Sequence, residues 1–433
     1  MRAVTVTSER RPRIAWLGPA PNDVGGVPAM AGEMLRGLAD SGADLELFLD
    51  CPRTDFLDAL NARDNVRISA VTTRWRYNRW YSSSAVTTLA TGTAARVYVG
   101  SRLAQCVVER HAARPFDVVY RLSQIELLGL RPVVARLPPI VLHPEVHAYG
   151  ELRHHWRERS LALRSEAPHY FALNHAYLGY RSFVQRRDLR DVALLVAPSR
   201  RFAEHVAADY GYPREHMCVI PNVVDLDRFR PATTPPVTRP VRLIFAARLA
   251  VRKGMDQIVE LSHRLDDLAG RVQIDCIGGP SLFSNYSALV DDLNPATARY
   301  LGHVPSTDTP ELYRAAHGLL QPSLYEPYAI TVGEALASGL PVIVSDEVGA
   351  GEGVDPRVCR THAAGDVAGL EREVRRLVDE IERGWDPALR DLSRRHAETY
   401  LSRDRFAQDL LHAVGELRDV HRTRSGARLS SAR

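Results

Sequence analysis

Cysteine and long apolar runs are both scarce in this sequence. Five cysteines are spread through 433 residues without a CxxC pair, which argues against a zinc site and against a disulfide framework. No stretch of about 20 uncharged apolar residues occurs, and the leading segment MRAVTVTSERRPR lacks the apolar core of a signal peptide. We therefore expect a soluble, cytoplasmic protein with small buried cysteines at Cys51, Cys106, Cys218, Cys276 and Cys359.

A strong excess of one charge is also missing. The net charge is +4, far below the basic excess of a nucleic-acid-binding protein, so we expect no nucleic-acid partner. Apolar residues make up 45% of the chain and charged residues 25%, which are ordinary values for a globular protein and exclude a disordered one.

Lysine is nearly absent, because Lys253 is the single lysine among 56 basic residues. A compact ammonium group binds a phosphate as a point charge, whereas the guanidinium of arginine is planar and has a different shape. In a chain that otherwise uses arginine, this one lysine indicates a chemical role. Chance survival in an arginine-rich, GC-rich coding background is the alternative.

The chain is long enough for two domains of about 200 residues each. Apolar strand-like runs alternate with helical patterns in two series, and this alternation predicts parallel sheets covered on both faces. Between the series, residues 220–240 are rich in proline and lack periodicity, so they are the best domain boundary. The first series has strands at 14–18, 44–49, 117–120, 139–142 and 193–197, and the second at 241–247, 272–277, 318–321 and 341–345.

The most informative motif is YEPYAITVGEALASG, residues 325–339, in which Glu326 and Glu334 are eight positions apart. If Glu326 follows a strand and Glu334 lies one to two turns into the next helix, both carboxylates can face one ligand at the carboxyl edge of the sheet. A carboxylate can bind both hydroxyls of a ribose, and the helix start can hold a phosphate. Two solvated surface glutamates are the alternative.

With its flanking segments QPS and LPVIVSD, this motif resembles the E-x7-E region of glycosyltransferase family 4, whose members are retaining enzymes with the GT-B fold. The segment RLIFAARLAVRKGMD, residues 242–256, resembles the family's donor-phosphate segment, which implies that Arg248 and Lys253 bind the donor diphosphate. IPNVVDLDRFRP, residues 220–231, is similar to the family's interdomain signature, and residues 301–323 resemble its base-binding stretch.

The resemblance implies a GT-B architecture, in which two Rossmann-like, doubly wound parallel-sheet domains face each other across a cleft. We expect an N-terminal acceptor-side domain, a linker that acts as a hinge, a C-terminal nucleotide-sugar-binding domain, a helical segment that packs back toward the N-terminal domain, and a disordered tail. Their predicted bounds are 12–219, 220–240, 241–388, 389–417 and 418–433.

In the N-terminal half the resemblance is carried by two short segments. NDVGGVPAM looks like the family's first glycine loop, which implies that Gly25 and Gly26 approach the donor phosphates; a plain tight turn is the alternative. IVLHPEVHAYGEL contains His143 and His147 after a buried strand. The family often has a histidine here that supports the reacting centre, and we favour His147, with His143 and a purely structural histidine as alternatives.

The resemblance further implies that the donor sugar and ribose contact Glu326, Tyr328, Ala329, Ile330 and Glu334. The family commonly has Phe-Gly where this chain has Tyr328 and Ala329, and the added methyl group could narrow the sugar pocket. The family also frequently has a histidine at the end of the preceding strand, where this chain has Tyr120 and Arg121. The catalytic candidates are His147, His143 and Glu326.

We therefore predict a retaining glycosyltransferase for cell-envelope or secondary-metabolite glycosylation. Its donor is a nucleotide-diphosphate sugar, its acceptor an unidentified hydroxyl, and it needs no metal or other cofactor. The alternatives are a non-catalytic nucleotide-binding protein of the same fold and a nucleotide-sugar epimerase.

The segment RWRYNRWYSSS, residues 74–84, could contact an anionic membrane weakly or cradle the acceptor; a solvated loop is the other interpretation. The oligomeric state stays open.

Overall fold

The structure, a computed structural model, confirms two Rossmann-like domains in tandem. It describes residues 11–22, 26–51, 54–70, 85–165, 167–234, 236, 239–279, 287–384 and 386–431. Gly25 and the arginine- and aromatic-rich segment 74–84 therefore lie outside the described residues.

The N-terminal domain is built on a parallel sheet with the strand order β3-β2-β1-β4-β5-β6-β7. Because helices cover both faces, its central strands are rich in apolar residues, and all five residues of the first strand, including Arg13, are buried. The strands are β1 Arg13–Leu17, β2 Asp44–Leu49, β3 Val66–Ala70, β4 Val118–Ser123, β5 Ile140–Pro144, β6 Leu194–Ala197 and β7 Met217–Val219. The helices are α1 Gly26–Asp40, α2 Asp55–Asn61, α3 Ala85–Ala113, α4 Ala148–Arg157, α5 Arg159–Ser165, α6 Pro168–Asp188 and α7 Arg200–Tyr210.

The C-terminal domain repeats the plan with the strand order β10-β9-β8-β11-β12-β13, again all parallel. Its strands are β8 Val241–Ala246, β9 Val272–Ile277, β10 Ala298–Gly302, β11 Gly318–Gln321, β12 Val342–Ser345 and β13 Cys359–His362. Its helices are α8 Met255–Arg264, α9 Ser287–Val290, α10 Thr309–Ala315, α11 Ile330–Ala337 and α12 Val367–Arg383. In each sheet the strand order reverses once, between β1 and β4 and between β8 and β11, and ligands bind beside such points.

Two helices, α13 Pro387–Tyr400 and α14 Arg403–Ser431, complete the chain. Phe406, Leu410 and Val414 of α14 are part of the core of the N-terminal domain. The close approach of α14 to α1 requires Gly37, because a Cβ atom there would lie 2.4 Å from the carbonyl oxygen of Arg403.

The C-terminal segment differs from the sequence prediction in two ways. The predicted helical run 389–417 is interrupted at Leu401, whose carbonyl oxygen accepts a hydrogen bond from the backbone N–H of Val224 in the linker. The chain is also helical through Ser431, where a disordered tail was predicted from residue 418. The four arginines of this stretch are good helix formers, and Arg418 forms an ion pair with Asp117 at 3.2 Å.

The first half of the linker is packed rather than exposed. Asn222 is fully buried, Ile220 belongs to the core of the N-terminal domain, and Val224 and Phe229 belong to that of the C-terminal domain. The linker therefore runs between the two cores, directly behind the cleft.

Candidate active site

The carboxyl edges of the two sheets face each other across the cleft, and side chains join them. The Ser199 hydroxyl at the start of α7 donates to the carbonyl oxygen of Pro327 at 2.7 Å. Arg252 of the C-terminal domain forms an ion pair with Glu151 of α4 at 3.3 Å. The cleft is thus closed in this conformation.

Glu326 occupies the loop after β11, on the cleft side, and is 7% exposed. Its carboxylate accepts hydrogen bonds from the Lys253 ammonium and from Nη1 of Arg252, the latter at 3.1 Å. Burial acts to raise the pKa of Glu326, but the two cations outweigh burial and hold this pKa below its usual value. Glu326 is therefore a buried carboxylate that stays charged.

Lys253 ends a short 3-10 turn that leads into α8. The next residue, Gly254, has a φ of +80°, and a Cβ atom there would lie 2.3 Å from the carbonyl oxygen of Pro322, so only glycine fits. Burial and the charges of Arg252 and Arg248 lower the pKa of Lys253 to about 8, although Glu326 opposes this shift.

Three cations therefore gather at the carboxyl end of β8. Arg248 is exposed beyond the strand, and Lys253 and Arg252 are partly buried against Glu326. The sequence pattern indicated Arg248 and Lys253 but not Arg252, which also donates to the carbonyl oxygen of Tyr325 at 3.2 Å. Its position beside Lys253 in the segment VRKG was the one available signal.

Glu334 lies one turn into α11, at a cavity of about 40 Å³ between the domains. The Tyr313 hydroxyl donates to its carboxylate at 3.1 Å. Burial raises the pKa of Glu334 to about 7, against the opposing effects of Tyr313 and Arg228. The cavity is far smaller than a nucleotide needs, since ligand pockets are on the order of 300 Å³ or more. Its lining includes Gly26, Arg228, Ser306, Thr309, Ile330 and Glu334.

His143 is fully buried at the end of β5. Its Nε2 lies 3.0 Å from Oδ1 of Asn222, and its Nδ1 lies 2.6 Å from the Tyr120 hydroxyl. Because an amide oxygen only accepts, Nε2 carries the proton and Tyr120 donates to Nδ1. Burial lowers the pKa of His143 to about 4, so the ring is neutral.

His147 is also fully buried, at the residue before α4. Its Nε2 lies 2.7 Å from Oδ2 of Asp209, and its Nδ1 is hydrogen-bonded to the hydroxyl of Tyr325, the neighbour of Glu326. Each histidine thus has a protein partner on both ring nitrogens. A donor sugar would have to displace one of these partners, and the choice between the two histidines stays a prediction.

Glu145 lies between the two histidines in sequence and was not indicated by the pattern. Its Oε2 accepts from Nδ2 of Asn222 at 3.0 Å, and its Oε1 is buried with no hydrogen-bond partner among the described residues. Burial, with a smaller contribution from the charge of Glu326, raises the pKa of Glu145 to about 7, although Asn222 opposes this shift. A carboxyl group that titrates near neutral pH in a cleft is typical of functional sites.

The two departures from the family pattern have visible structural consequences. Ala329 has a φ of +75°, a conformation that an L residue adopts only with strain, which explains why glycine is common there. Tyr328 is buried and donates to the backbone carbonyl of Asn222 at 3.3 Å. Tyr120 is the partner of His143, and Arg121 donates to the carbonyl oxygen of Glu126 at 3.0 Å.

Two family models match most of this architecture. The model for glycosyl transferases group 1 matches residues 228–384, and the model for Glycosyltransferase Family 4 matches residues 103–228. The chain is a glycosyltransferase with the GT-B fold.

Relatives match this glycosyltransferase at low identity, one of them over most of its length. Glycogen synthase of Mycobacterium tuberculosis is 25% identical over 416 residues, which cover 93% of each chain. D-inositol 3-phosphate glycosyltransferase of Streptomyces bingchenggensis is 31% identical over 172 residues, or 35% of this chain and 37% of that one.

Solved structures share the fold. Sucrose-phosphate synthase of Thermosynechococcus elongatus aligns with a TM-score of 0.65 and 16% identity over 94% of this chain and 99% of that one. Anabaena HepE in complex with UDP and glucose aligns with a TM-score of 0.62 and 15% identity over 94% and 100% of the two chains.

None of the helices that the structure describes is long and apolar enough to cross a membrane.

Proposed function

We propose that this glycosyltransferase is a retaining, metal-independent member of family 4 that moves a sugar from a nucleotide-diphosphate donor to an acceptor hydroxyl. The observation that supports this most directly is the grouping of Lys253, Arg252 and Glu326 at the carboxyl edge of the C-terminal sheet. The site combines a charged carboxylate, which accepts hydrogen bonds from sugar hydroxyls, with cations for a diphosphate.

In the proposed reaction, Lys253 and Arg248 neutralise the charge that develops on the leaving diphosphate. This is electrostatic preorganisation, since both cations are in place before the bond breaks. The bond from the anomeric carbon to the diphosphate oxygen breaks, the acceptor oxygen forms its bond on the same face, and the proton of the acceptor hydroxyl passes to the departing diphosphate oxygen. Glu326 orients the sugar hydroxyls, and His147, which is hydrogen-bonded to the neighbouring Tyr325, supports the reacting centre.

The ribose of the donor is assigned to Glu334. Its carboxyl group and Gly26 line the same cavity, and Gly26, at the start of α1, lets the protein backbone approach the donor closely. HepE, whose solved complexes contain UDP and UDP-glucose, supports a nucleotide-sugar donor. Because the cavity is small in this conformation, we expect the linker to open and close the cleft around the donor.

The test begins with calorimetric titration of UDP, GDP, ADP and dTDP in the presence of EDTA. Tight binding of one nucleotide by the native protein, and its loss in Lys253→Ala, would support the diphosphate assignment. Arg372→Ala provides a matched control, because Arg372 is an exposed cation of α12 in the same domain. No binding of any nucleotide would overturn the proposal.

The reaction itself is tested by transfer from the sugar donor selected by that titration. Under the proposal, labelled sugar appears on an acceptor with the donor's anomeric configuration, as read by proton NMR. An inverted product would refute retention. Interconversion of the donor sugar without any acceptor would instead indicate an epimerase.

A further inference from the structure

Exposed aromatic and aliphatic side chains are concentrated on three helices of the N-terminal domain. Of the twelve large hydrophobic residues that the described chain exposes, six lie on α4, α5 and α6. Phe183 is 69% exposed, and Trp156 and Tyr180 are each 54% exposed. We call this set the α4–α6 surface; its hydrophobic members are Tyr149, Trp156, Leu163, Tyr170, Tyr180 and Phe183.

The two longer helices form one continuous layer. At one end the backbone N–H of Ala148 donates to Gln185 of α6 at 2.8 Å, and at the other the His155 ring stacks on Phe171 of α6 at 4.2 Å. Helices α4 and α6 are therefore antiparallel and in contact over the length of α4. Tyr180 and Phe183 are three residues apart and share one face of α6.

The exposed charge of this surface is mainly positive. Three of its arginines pair with carboxylates, Arg153 with Asp209, Arg157 with Glu158 and Arg164 with Asp292, and Asp191, just after α6, is an exposed carboxylate. Over residues 148–165 and 167–190, every exposed charged side chain is an arginine, while Glu151, Glu158 and Asp188 of the same stretch are partly or fully buried. Arg159 lies over the Trp156 ring at 5.2 Å, so aromatic and cationic groups are interleaved. The exposed arginines are Arg153, Arg157, Arg159, Arg164, Arg186 and Arg190.

We infer that the α4–α6 surface docks on an anionic lipid surface. Amphipathic aromatic rings settle at the headgroup level of a bilayer, and each arginine near an anionic leaflet adds about 1 kcal/mol of attraction. A second copy of the chain fits less well, because a two-fold contact sets the same patch against itself and would oppose arginine to arginine.

The docking surface begins beside the cleft. Helix α4 starts directly after His147 and has ten residues, a length of about 15 Å. Docking through α4 and α6 therefore holds the acceptor side of the cleft next to the lipid. The inference does not depend on the proposed reaction, since lipid binding is measured without turnover.

The experiment is co-sedimentation of the full chain with vesicles of phosphatidylcholine alone and of phosphatidylcholine mixed with phosphatidylglycerol. We expect binding to the anionic vesicles, weakened by salt, and at least about tenfold weaker binding for the double variants Tyr180→Ser/Phe183→Ser and Arg159→Glu/Arg186→Glu. Tyr400→Ser on α13 and Arg372→Glu on α12 are controls with similarly exposed residues, and they should bind like the native protein.

Circular dichroism and nucleotide binding first establish that each variant is folded. The inference is overturned if the native protein does not bind anionic vesicles, or if the surface variants bind them as well as the controls do. A concentration-dependent dimer that Phe183→Ser abolishes, with no lipid binding, would also overturn it and would assign the surface to a second copy.

Discussion

Raising the pH through about 8 should weaken donor binding, because Lys253 loses its charge. Burial and the charges of Arg252 and Arg248 lower the pKa of Lys253 to about 8. The free lysine is then about nine-tenths protonated at about pH 7 and about one-tenth protonated at about pH 9. A diphosphate that binds only the ammonium form therefore loses about tenfold in affinity over this range, or ~1.4 kcal/mol.

The direction of the pH effect on donor affinity follows from the lowered pKa of Lys253. A bound diphosphate stabilises the ammonium form and raises the pKa of Lys253, so binding takes up a proton where the free lysine is neutral. Affinity is fully present below the free pKa and falls as the pH rises through it. Calorimetry in buffers of different ionisation enthalpy measures both the affinity and the proton uptake.

Lys253→Arg is the matched control for this prediction. A guanidinium stays charged throughout the range, so the donor affinity of Lys253→Arg should not show the fall that starts at about pH 8. The pH-dependent contributions of Glu145 and Glu334 to donor affinity remain in this variant. Because Lys253 is the single lysine, reductive methylation with carbon-13 labels only this side chain and the α-amino group, and NMR then follows its titration directly. A flat profile in the native protein, or the same fall in Lys253→Arg, would refute the reasoning.

Three further predictions concern stability and are checked by urea unfolding. Ala329→Gly should stabilise the protein by up to about 1 kcal/mol, because it removes left-handed strain at a cost in unfolded-chain entropy; a less stable variant would contradict this. Relative to Glu334→Gln, the native protein should become less stable as pH rises from about 4.5 through about 7, since burial raises the Glu334 pKa; a pH-independent difference would argue against that burial effect. Asn222→Ala should cost about 2–4 kcal/mol, because it orphans buried groups of both His143 and Glu145, and a loss below about 1 kcal/mol would show that water replaces the amide.

The sheets were predictable where strands are buried on both faces. The runs that became β2, β9 and β11 are short segments rich in apolar residues, and the structure has strands over the predicted residues. Strand β13, with the sequence CRTH, is an edge strand in which three consecutive polar residues follow a cysteine. Only its pairing with β12 distinguishes it from a loop, and local sequence does not encode that pairing.

The site was predictable where its residues are close in sequence. Glu326 and Lys253 were both indicated by motifs, but their ion pair spans 73 positions and follows from the fold. The partners of His147 are further examples, because Asp209 and Tyr325 lie 62 and 178 positions away. Arg252 was missed because a motif names residue types, whereas the direction of a side chain in a 3-10 turn depends on its tertiary surroundings.

The contacts that close the cleft are made largely by charges and helix ends. The carboxylate of Glu352 in the C-terminal domain accepts from the backbone N–H groups of Arg200 and Arg201, at 2.8 and 2.7 Å, at the positive end of α7. Arg252 joins Glu151 of the other domain to Glu326 of its own. A donor diphosphate that reaches Lys253 and Arg252 competes with these carboxylates for the same cations. Donor binding therefore weakens ion pairs of the closed cleft, including the pair of Arg252 with Glu151 that joins the two domains. Lys253 both binds the donor and pairs with Glu326.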